Sequence, residues 1–353
     1  MNISQTGATL SGSYSFVTGT VSEVGFRWGT SSGNLGNTAT GTLNGTSFST
    51  SLSGLVAGTT YYYQSYVKVQ GTGDKSSSVQ TFTGDVNQFT TSPEKIGLLE
   101  LPAQKSGYIH NGFGRGKTRN YNYCYDTGHY ASLWVAYPLT KSHTEGSAST
   151  SSWKYDPNII SDCQPAVTGN SYGTVYGNSS YSRGHQCPSG SRKLDNTMNS
   201  QTYYVSNQTP QLQNGFNGGI WNSLENSLRT ITTSSDTLYI ATGPCYQTVG
   251  GSETVTYLTA SSSSTVPSKV PVPNYYWKAV LKVKWSGSTI TDACAIGFWF
   301  EHKAYSDKSY TDYIVTIDQI EAKIGFDLFA NLPAAIESKV ESTSVSWDEF
   351  NNY

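Results

Sequence analysis

The chain is poor in charge. Only 13% of its 353 residues are Asp, Glu, Lys or Arg, and 22 basic side chains against 24 acidic ones leave a net charge of −2. A whole-surface basic field, the usual footprint of non-specific nucleic-acid binding, is excluded, and only a local patch is left for that role. No apolar run reaches the ~18 residues that a spanning helix needs. Met1 is followed by neither a basic segment nor an apolar stretch of signal-peptide type. With 35 glycines and 26 tyrosines, the composition resembles that of an exported bacterial protein, and any export signal is expected either to have been removed or not to be part of this sequence. The expected location is secreted, cell-surface or periplasmic. No C-x-x-C pair occurs among Cys124, Cys163, Cys187, Cys245 and Cys294, which argues against structural zinc. The odd number leaves one thiol unpaired within a monomer; the expected pairs are Cys163 with Cys187 and Cys245 with Cys294.

Residues 1–84 contain no histidine and few carboxylates, so no catalytic constellation lies there. "VGFRWGT" (24–30) places Val24, Phe26 and Trp28 on one strand face, and "TTYYYQSYVKV" (59–69) does the same for Tyr61, Tyr63, Val67 and Val69. Clusters of Gly, Ser and Asn separate the runs, which points to a β-sandwich. "LSGLVAGTTYYYQSYVKV" (52–69) resembles the late turn and strand of a fibronectin type III domain, with Leu55 under the turn and Tyr61 as its corner tyrosine. A polar segment, 85–95, is the expected linker to a second domain at 96–353. There, strand-like runs at 131–140, 237–244, 275–285 and 294–302 alternate irregularly with helical patterns at 217–230, 317–324 and 333–341. That mixture indicates an α+β domain.

One stretch of the second domain lacks acid. Between Cys163 and Leu224 the sole carboxylate is Asp195, whereas Arg183, His185, Arg192 and Lys193 all fall there. Such a region suits an incoming anion, phosphate above all, although Gly/Ser/Asn-rich loops are often acid-poor. Downstream, "SNQTPQLQNGFNGGIWNSLENSLRT" (206–230) reads as a loop with Pro210 and Gly215, then a helix from about Asn217. Ile220, Leu224 and Leu228 form its buried stripe, and Asn217, Glu225 and Arg229 lie on the neighbouring flank. Read alone, Asn217 is equally a helix cap and Glu225–Arg229 an ordinary i,i+4 pair.

Taken in order, "SRGHQCP" (182–188), "YYVSNQTPQ" (203–211) and "NGGIWNSLENSLR" (217–229) resemble the DNA/RNA non-specific endonuclease family, the ββα-metal nucleases of the Serratia nuclease and endonuclease G type. The likeness continues through "LWVAYPLT", "ATGP", "AIGFWFEH" and "IDQIEAKIGFDLFANLP", and so covers about 100–341. It implies a secreted nuclease that hydrolyses phosphodiesters of DNA, RNA or both, with His185 as general base. It implies Asn217 as the direct ligand of one divalent cation, Mg²⁺ or another such as Mn²⁺, and Glu225 as the holder of water around that ion. Arg229 is expected at a substrate phosphate, and Asn207 as an orienting residue of the catalytic set. Arg183 is either a phosphate contact or a structural donor, and Arg192 either packs or meets a phosphate. Two positions depart from the pattern. Ser182 stands where the motif has aspartate, and Ser151 stands where an arginine precedes "W-K-x-D-P"; Arg192 or an arginine of "GRGKTRN" (114–120) is the candidate replacement. These gaps keep open the alternative of a nuclease fold weakened into a binding or adhesion module. The partner of the N-terminal domain and the oligomeric state are left unassigned by the residues.

Overall fold

The computed structural model describes residues 2–3, 7–15, 19–53, 55, 59–70, 79–90, 98–115, 118–167, 172–233, 236–262, 265–286, 289–306 and 309–353. The chain divides into two compact units, Met1–Ile96 and Gly97–Tyr353.

Eight strands build the first unit: β1 (Asn2–Ile3), β2 (Gly7–Ser13), β3 (Thr20–Gly29), β4 (Asn37–Thr40), β5 (Thr42–Asn44), β6 (Ser47–Ser53), β7 (Thr60–Gln70) and β8 (Val79–Thr90). They form two antiparallel sheets, ordered β1-β2-β6-β5 and β4-β3-β7-β8. Strand alternation turns Val24, Phe26, Tyr61, Val67 and Val69 of one sheet toward Leu10, Phe48 and Leu52 of the other, in one core with Leu55 and Phe89. Trp28 and Tyr63 pack at its margin. The turn expected beneath Tyr61 falls at 54–58, of which only Leu55 is described. The expected linker needs correction: β8 continues to Thr90, paired with β7 from Val79 to Thr90. It is an edge strand exposed from Val79 to Gln88 and buried at Phe89, so neither face carries the apolar period by which a strand is read. Residues 91–95 of that segment lie outside the described residues.

The strands of the second unit are β9 (Ile109–Arg115), β10 (Thr118–Asp126), β11 (Ala131–Thr140), β12 (Tyr181–His185), β13 (Gln208–Leu212), β14 (Thr237–Cys245), β15 (Thr256–Thr259), β16 (Lys269–Val272), β17 (Tyr275–Ser286), β18 (Thr289–Glu301) and β19 (Ile314–Val315). Its helices are α1 (Lys141–Thr144), α2 (Tyr172–Tyr176), α3 (Asn196–Gln201), α4 (Asn222–Ile231), α5 (Ile317–Ile324), α6 (Ala334–Ser342) and α7 (Trp347–Asn352). Seven strands form a central antiparallel sheet in the order β19-β18-β17-β14-β11-β10-β9, and β12 pairs with β13 beside it as a two-stranded ribbon.

Both faces of the central sheet are buried. Val135, Tyr137, Leu238, Ile240, Tyr276, Val280, Ile296, Phe298 and Phe300 share one core with Leu224 and Leu228 of α4 and Phe350 of α7. Trp134, Ala136, Tyr239, Ala241, Trp277, Ala279 and Leu281 share the other with Ile317 and Ile320 of α5 and Val340 of α6. Double burial is why these strands are written as nearly continuous apolar runs. Full burial of Leu224 and Leu228 contributes about 1.5–3 kcal/mol each to holding α4 on the sheet. Among the described residues, no helix is long and apolar enough to cross a membrane.

Two expectations change here. The helix anticipated from Asn217 starts at Asn222, because Gln213–Trp221 is an irregular wide turn with non-helical backbone at Asn214, Gly215 and Gly219. Three glycines at 215, 218 and 219 weaken helix formation, and Gly215 adopts φ +80°, where a Cβ would also press on Ala304 at 2.8 Å. All five cysteines are free. Cys245 belongs to the core on one face of the sheet and Cys294 borders the core on the other, so the sheet itself separates that expected pair. Cys163 borders the core that buries Cys187, without a bond between them.

Two features of this scaffold are open to direct test. At Gly184 in β12, a Cβ would overlap the Gln211 side chain on β13. Gly184→Ala is expected to lower stability by ~1–3 kcal/mol through overpacking, measured by denaturant unfolding; an unchanged midpoint contradicts this register. His302 accepts from the Leu212 N–H through Nε2 (2.9 Å) and reaches the Pro273 carbonyl through Nδ1 (2.8 Å). Only a neutral, Nδ1-protonated ring satisfies both groups, and burial lowers its pKa to about 4. Because the folded ring resists a proton that the unfolded ring takes up near 6.5, this histidine subtracts stability as pH falls from about 6.5 toward 4. The His302 imidazole resonances are expected to titrate near pH 4 together with the Leu212 amide; titration near 6.5 contradicts the arrangement.

Candidate active site

Strand, strand, turn and helix follow one another through the candidate residues. β12 ends on His185, and β13 returns antiparallel beside it with His185 opposite Gln208. The Gln213–Trp221 turn then delivers Asn217 and leads into α4, which carries Glu225 and Arg229. The loop expected around Pro210 is thus largely strand: Pro210 pairs with Arg183 in the ribbon.

His185 is partly buried, and its ring packs against Trp153 at 4.7 Å and Tyr203 at 4.8 Å between centroids. Its Nε2 is buried and has no hydrogen-bond partner among the described residues. Loss of water around the ring lowers its pKa to about 4. The imidazole is therefore neutral at pH 7, the state in which it accepts a proton. Neither aromatic was anticipated, although Trp153 lies within the "W-K-x-D-P" stretch read for its missing arginine.

Asn217 donates from Nδ2 to Ser182 Oγ (2.9 Å) and to Gln213 Oε1 (3.0 Å). The single hydroxyl proton of Ser182 goes to the Gln211 carbonyl at 3.2 Å, so Ser182 must accept from Asn217. That requirement turns the amide nitrogen toward β12 and leaves the carbonyl oxygen without a donor among the described residues. A neutral carbonyl oxygen with both amide hydrogens engaged is a suitable ligand for a hard divalent cation. Ser182 thus holds the ligand-bearing turn against the strand of His185, three residues and roughly 10 Å of strand away. An aspartate in its place accepts the same bond but has no proton for Gln211.

Glu225 sits in the first turn of α4 beside two cations. Burial raises its pKa, and Lys278 and Arg229 oppose the rise. Arg229 Nη1 lies 4.0 Å from Glu225 Oε2 and donates to Ser191 Oγ at 3.4 Å, and Arg229 also binds Asn226. Lys278 had no sequence signal. Buried on β17, it donates to Thr242 Oγ1 at 3.1 Å, and its ammonium lies 4.4 Å from the Trp221 ring centroid. Burial lowers its pKa, and the nearby carboxylate of Glu225 limits the fall.

Three predicted residues belong to the scaffold. Asn207 is fully buried and brackets Cys187: its Oδ1 accepts from the Cys187 N–H at 2.8 Å, and its Nδ2 donates to the Cys187 and Thr202 carbonyls. It fixes the chain directly after His185 and touches no solvent, so it positions the site and meets no substrate. Arg183 is buried over the Tyr172 ring and donates to Gln208 Oε1 and the Ala166 carbonyl. Of its two readings, the structural donor is the one realised. Arg192 is corrected as a phosphate contact. It has no exposed surface, and its fork binds Asn120 Oδ1 (2.5 Å) and the carbonyls of Asn120, Pro138 and Ser191. Nor do the arginines of "GRGKTRN" stand free: Arg115 pairs with Asp195 and Arg119 with Glu100. Arg229, 18% exposed, keeps the guanidinium nearest to solvent in the motif set.

The chain is similar to known proteins. A profile of the "DNA/RNA non-specific endonuclease" family matches residues 104–335. The nuclease of Serratia marcescens is 30% identical over 217 residues, 59% of this chain and 72% of that one. The human mitochondrial nuclease EXOG is 29% identical over 220 residues, 60% of this chain and 56% of that one. "Nuclease 1, mitochondrial" of Schizosaccharomyces pombe is 28% identical over 162 residues, 45% of this chain and 49% of that one. Against the last two, the chain spans only about half of the relative's length. Among solved structures, a chain of the EndoG/EndoGI complex is covered completely by 73% of this chain, with a TM-score of 0.53 and 22% identity, a likeness of fold. With two thirds of its length matched, through the ribbon, the turn and α4, this chain belongs to the DNA/RNA non-specific endonuclease family.

Proposed function

We propose that this chain is an exported, metal-dependent nuclease that hydrolyses phosphodiester bonds of DNA, RNA or both with little sequence preference. The observation that carries the reading is the Asn217 amide, whose hydrogens are engaged by Ser182 and Gln213 while its oxygen is left for a cation. Asn217 would hold Mg²⁺ or Mn²⁺, and Glu225 would bind water around it. When bound, such an ion supplies positive charge to the phosphate under attack. His185, neutral and with a buried Nε2, takes the proton of the attacking water. Arg229 offers its exposed side to a phosphate oxygen. Lys278 opposes the rise that burial imposes on the pKa of Glu225. Contacts to backbone phosphate carry no base information, which supports low sequence specificity.

The N-terminal unit we read as a fibronectin type III-like spacer or adhesion module, on the strength of its two packed sheets and the places of Leu55 and Tyr61 in their core. Export is supported by the low charge and polar composition.

Plasmid DNA and RNA incubated with the full chain and Mg²⁺ are expected to be cut, and a chelator to stop the cutting. No cleavage of either between pH 6 and 9 favours the retired binding module instead. His185→Ala is expected to lower kcat/KM by about 10²–10⁴, and wild-type turnover in that variant removes His185 from the mechanism. Asn217→Ala is expected to raise the Mg²⁺ needed for half-maximal rate. Ser182→Ala should raise it less, on the order of a few-fold, since it frees the amide without deleting it; equal Mg²⁺ dependence of Ser182→Ala and wild type argues against the orienting role.

A further inference from the structure

Five of the 24 acidic residues of the chain gather where α5, α6 and the turn between them meet. Asp318 and Glu321 come from α5, Asp327 from the turn, and Glu337 and Glu341 from α6. This is the sheet face opposite α4. We propose that these carboxylates form a calcium site, distinct from the nuclease centre, that pins α5, the turn and α6 together.

The geometry meets what such an ion requires. One carboxylate oxygen from each of Asp318, Glu321 and Glu341 lies within 4.8 Å of the other two, and the same holds for Asp327, Glu337 and Glu341. Calcium–oxygen bonds of about 2.3–2.6 Å place two ligands up to roughly 5 Å apart across the ion, so either triad spans one Ca²⁺. Glu341 belongs to both and marks the centre. It is 9% exposed, and its Oε1 is buried with no hydrogen-bond partner among the described residues. A buried carboxylate oxygen without a partner is costly and calls for a proton or a cation. Among the described residues, no ion pair within 4.0 Å reaches any of the five. The Leu328 N–H donates to Glu321 Oε1 at 2.6 Å. Burial first and mutual repulsion second raise Glu341 to about 8 and Glu321 to about 7. Opposite charge is what the cluster lacks. An all-oxygen, anionic donor set with no nitrogen or sulfur selects a hard ion over zinc. Magnesium, with shorter bonds and a strict octahedron, suits a cluster of jointed carboxylates less well.

The full chain is stripped with EDTA, then melted with and without CaCl2 or MgCl2, and calcium is titrated in calorimetrically. Excess Ca²⁺ is expected to raise the melting temperature by about 3–8 °C, with Mg²⁺ weaker and about one ion bound at this site. Glu341→Gln should abolish the shift, because the amide cannot supply the anionic oxygen that the ion needs. Asn217→Ala should keep the shift, which separates this site from the nuclease metal. Asp318→Asn, at an exposed position, should weaken calcium binding on the order of tenfold without threatening the fold. The proposal is overturned if calcium leaves the wild-type melt unchanged, if Glu341→Gln and Asp318→Asn respond like wild type, or if Asn217→Ala abolishes the response.

Discussion

One hydrogen bond decides which atom of Asn217 faces outward. Because Ser182 gives its only proton to the Gln211 carbonyl, it accepts from Asn217, and the amide is held with nitrogen toward β12 and oxygen away. The proposed role of Asn217 as a cation ligand depends on that orientation. The bond also joins two elements that regular secondary structure leaves unconnected: the strand that ends on His185 and the wide turn before α4. His302 reinforces the join from the other side by accepting from Leu212, the residue that enters the turn. Phe216 packs against the same imidazole at 5.1 Å. A serine is therefore a workable occupant of a position that the family motif gives to aspartate.

The cations around the site divide by their partners. Arg183 and Arg192 are enclosed, and their donors end on protein oxygens. They fasten β12 and the chain after it to the sheet, where a fork of donors satisfies several carbonyls at once. Arg229 and Lys278 do different work. They face the carboxylate of Glu225 and oppose the upward shift that burial imposes on its pKa. The two faces of the central sheet then contrast in charge. One carries an acid-poor ribbon and helix fit for phosphate; the other carries five clustered carboxylates that repel one another.

The strands at Ala131–Thr140, Thr237–Cys245, Tyr275–Ser286 and Thr289–Glu301 were legible because both their faces are apolar, and α5 was legible because Ile317 and Ile320 recur at helical spacing. β8 was not, since an exposed edge strand has no reason to alternate. The start of α4 was misplaced for a related reason: burial runs from Phe216 to Ile220, Leu224 and Leu228 across Gly219, whose backbone breaks the helix without interrupting the burial. Arginines are hardest of all to read. Arg192 and Arg229 have the same donors, and only enclosure by Asn120 and Pro138 makes one structural.

By itself the order of residues determined the α+β class of the second unit and the β character of the first, which residue type and periodicity set locally, and its resemblance to known motifs pointed to the nuclease family. Tertiary structure alone decided that His185 is stripped of water by Trp153 and Tyr203, that Lys278 faces Glu225, that the five thiols stay apart, and that α5 and α6 bring their carboxylates together. Each of these turns on which side chains from distant segments share a buried space, and the free energy of a charge or a proton depends on that shared space far more than on its neighbours in the chain.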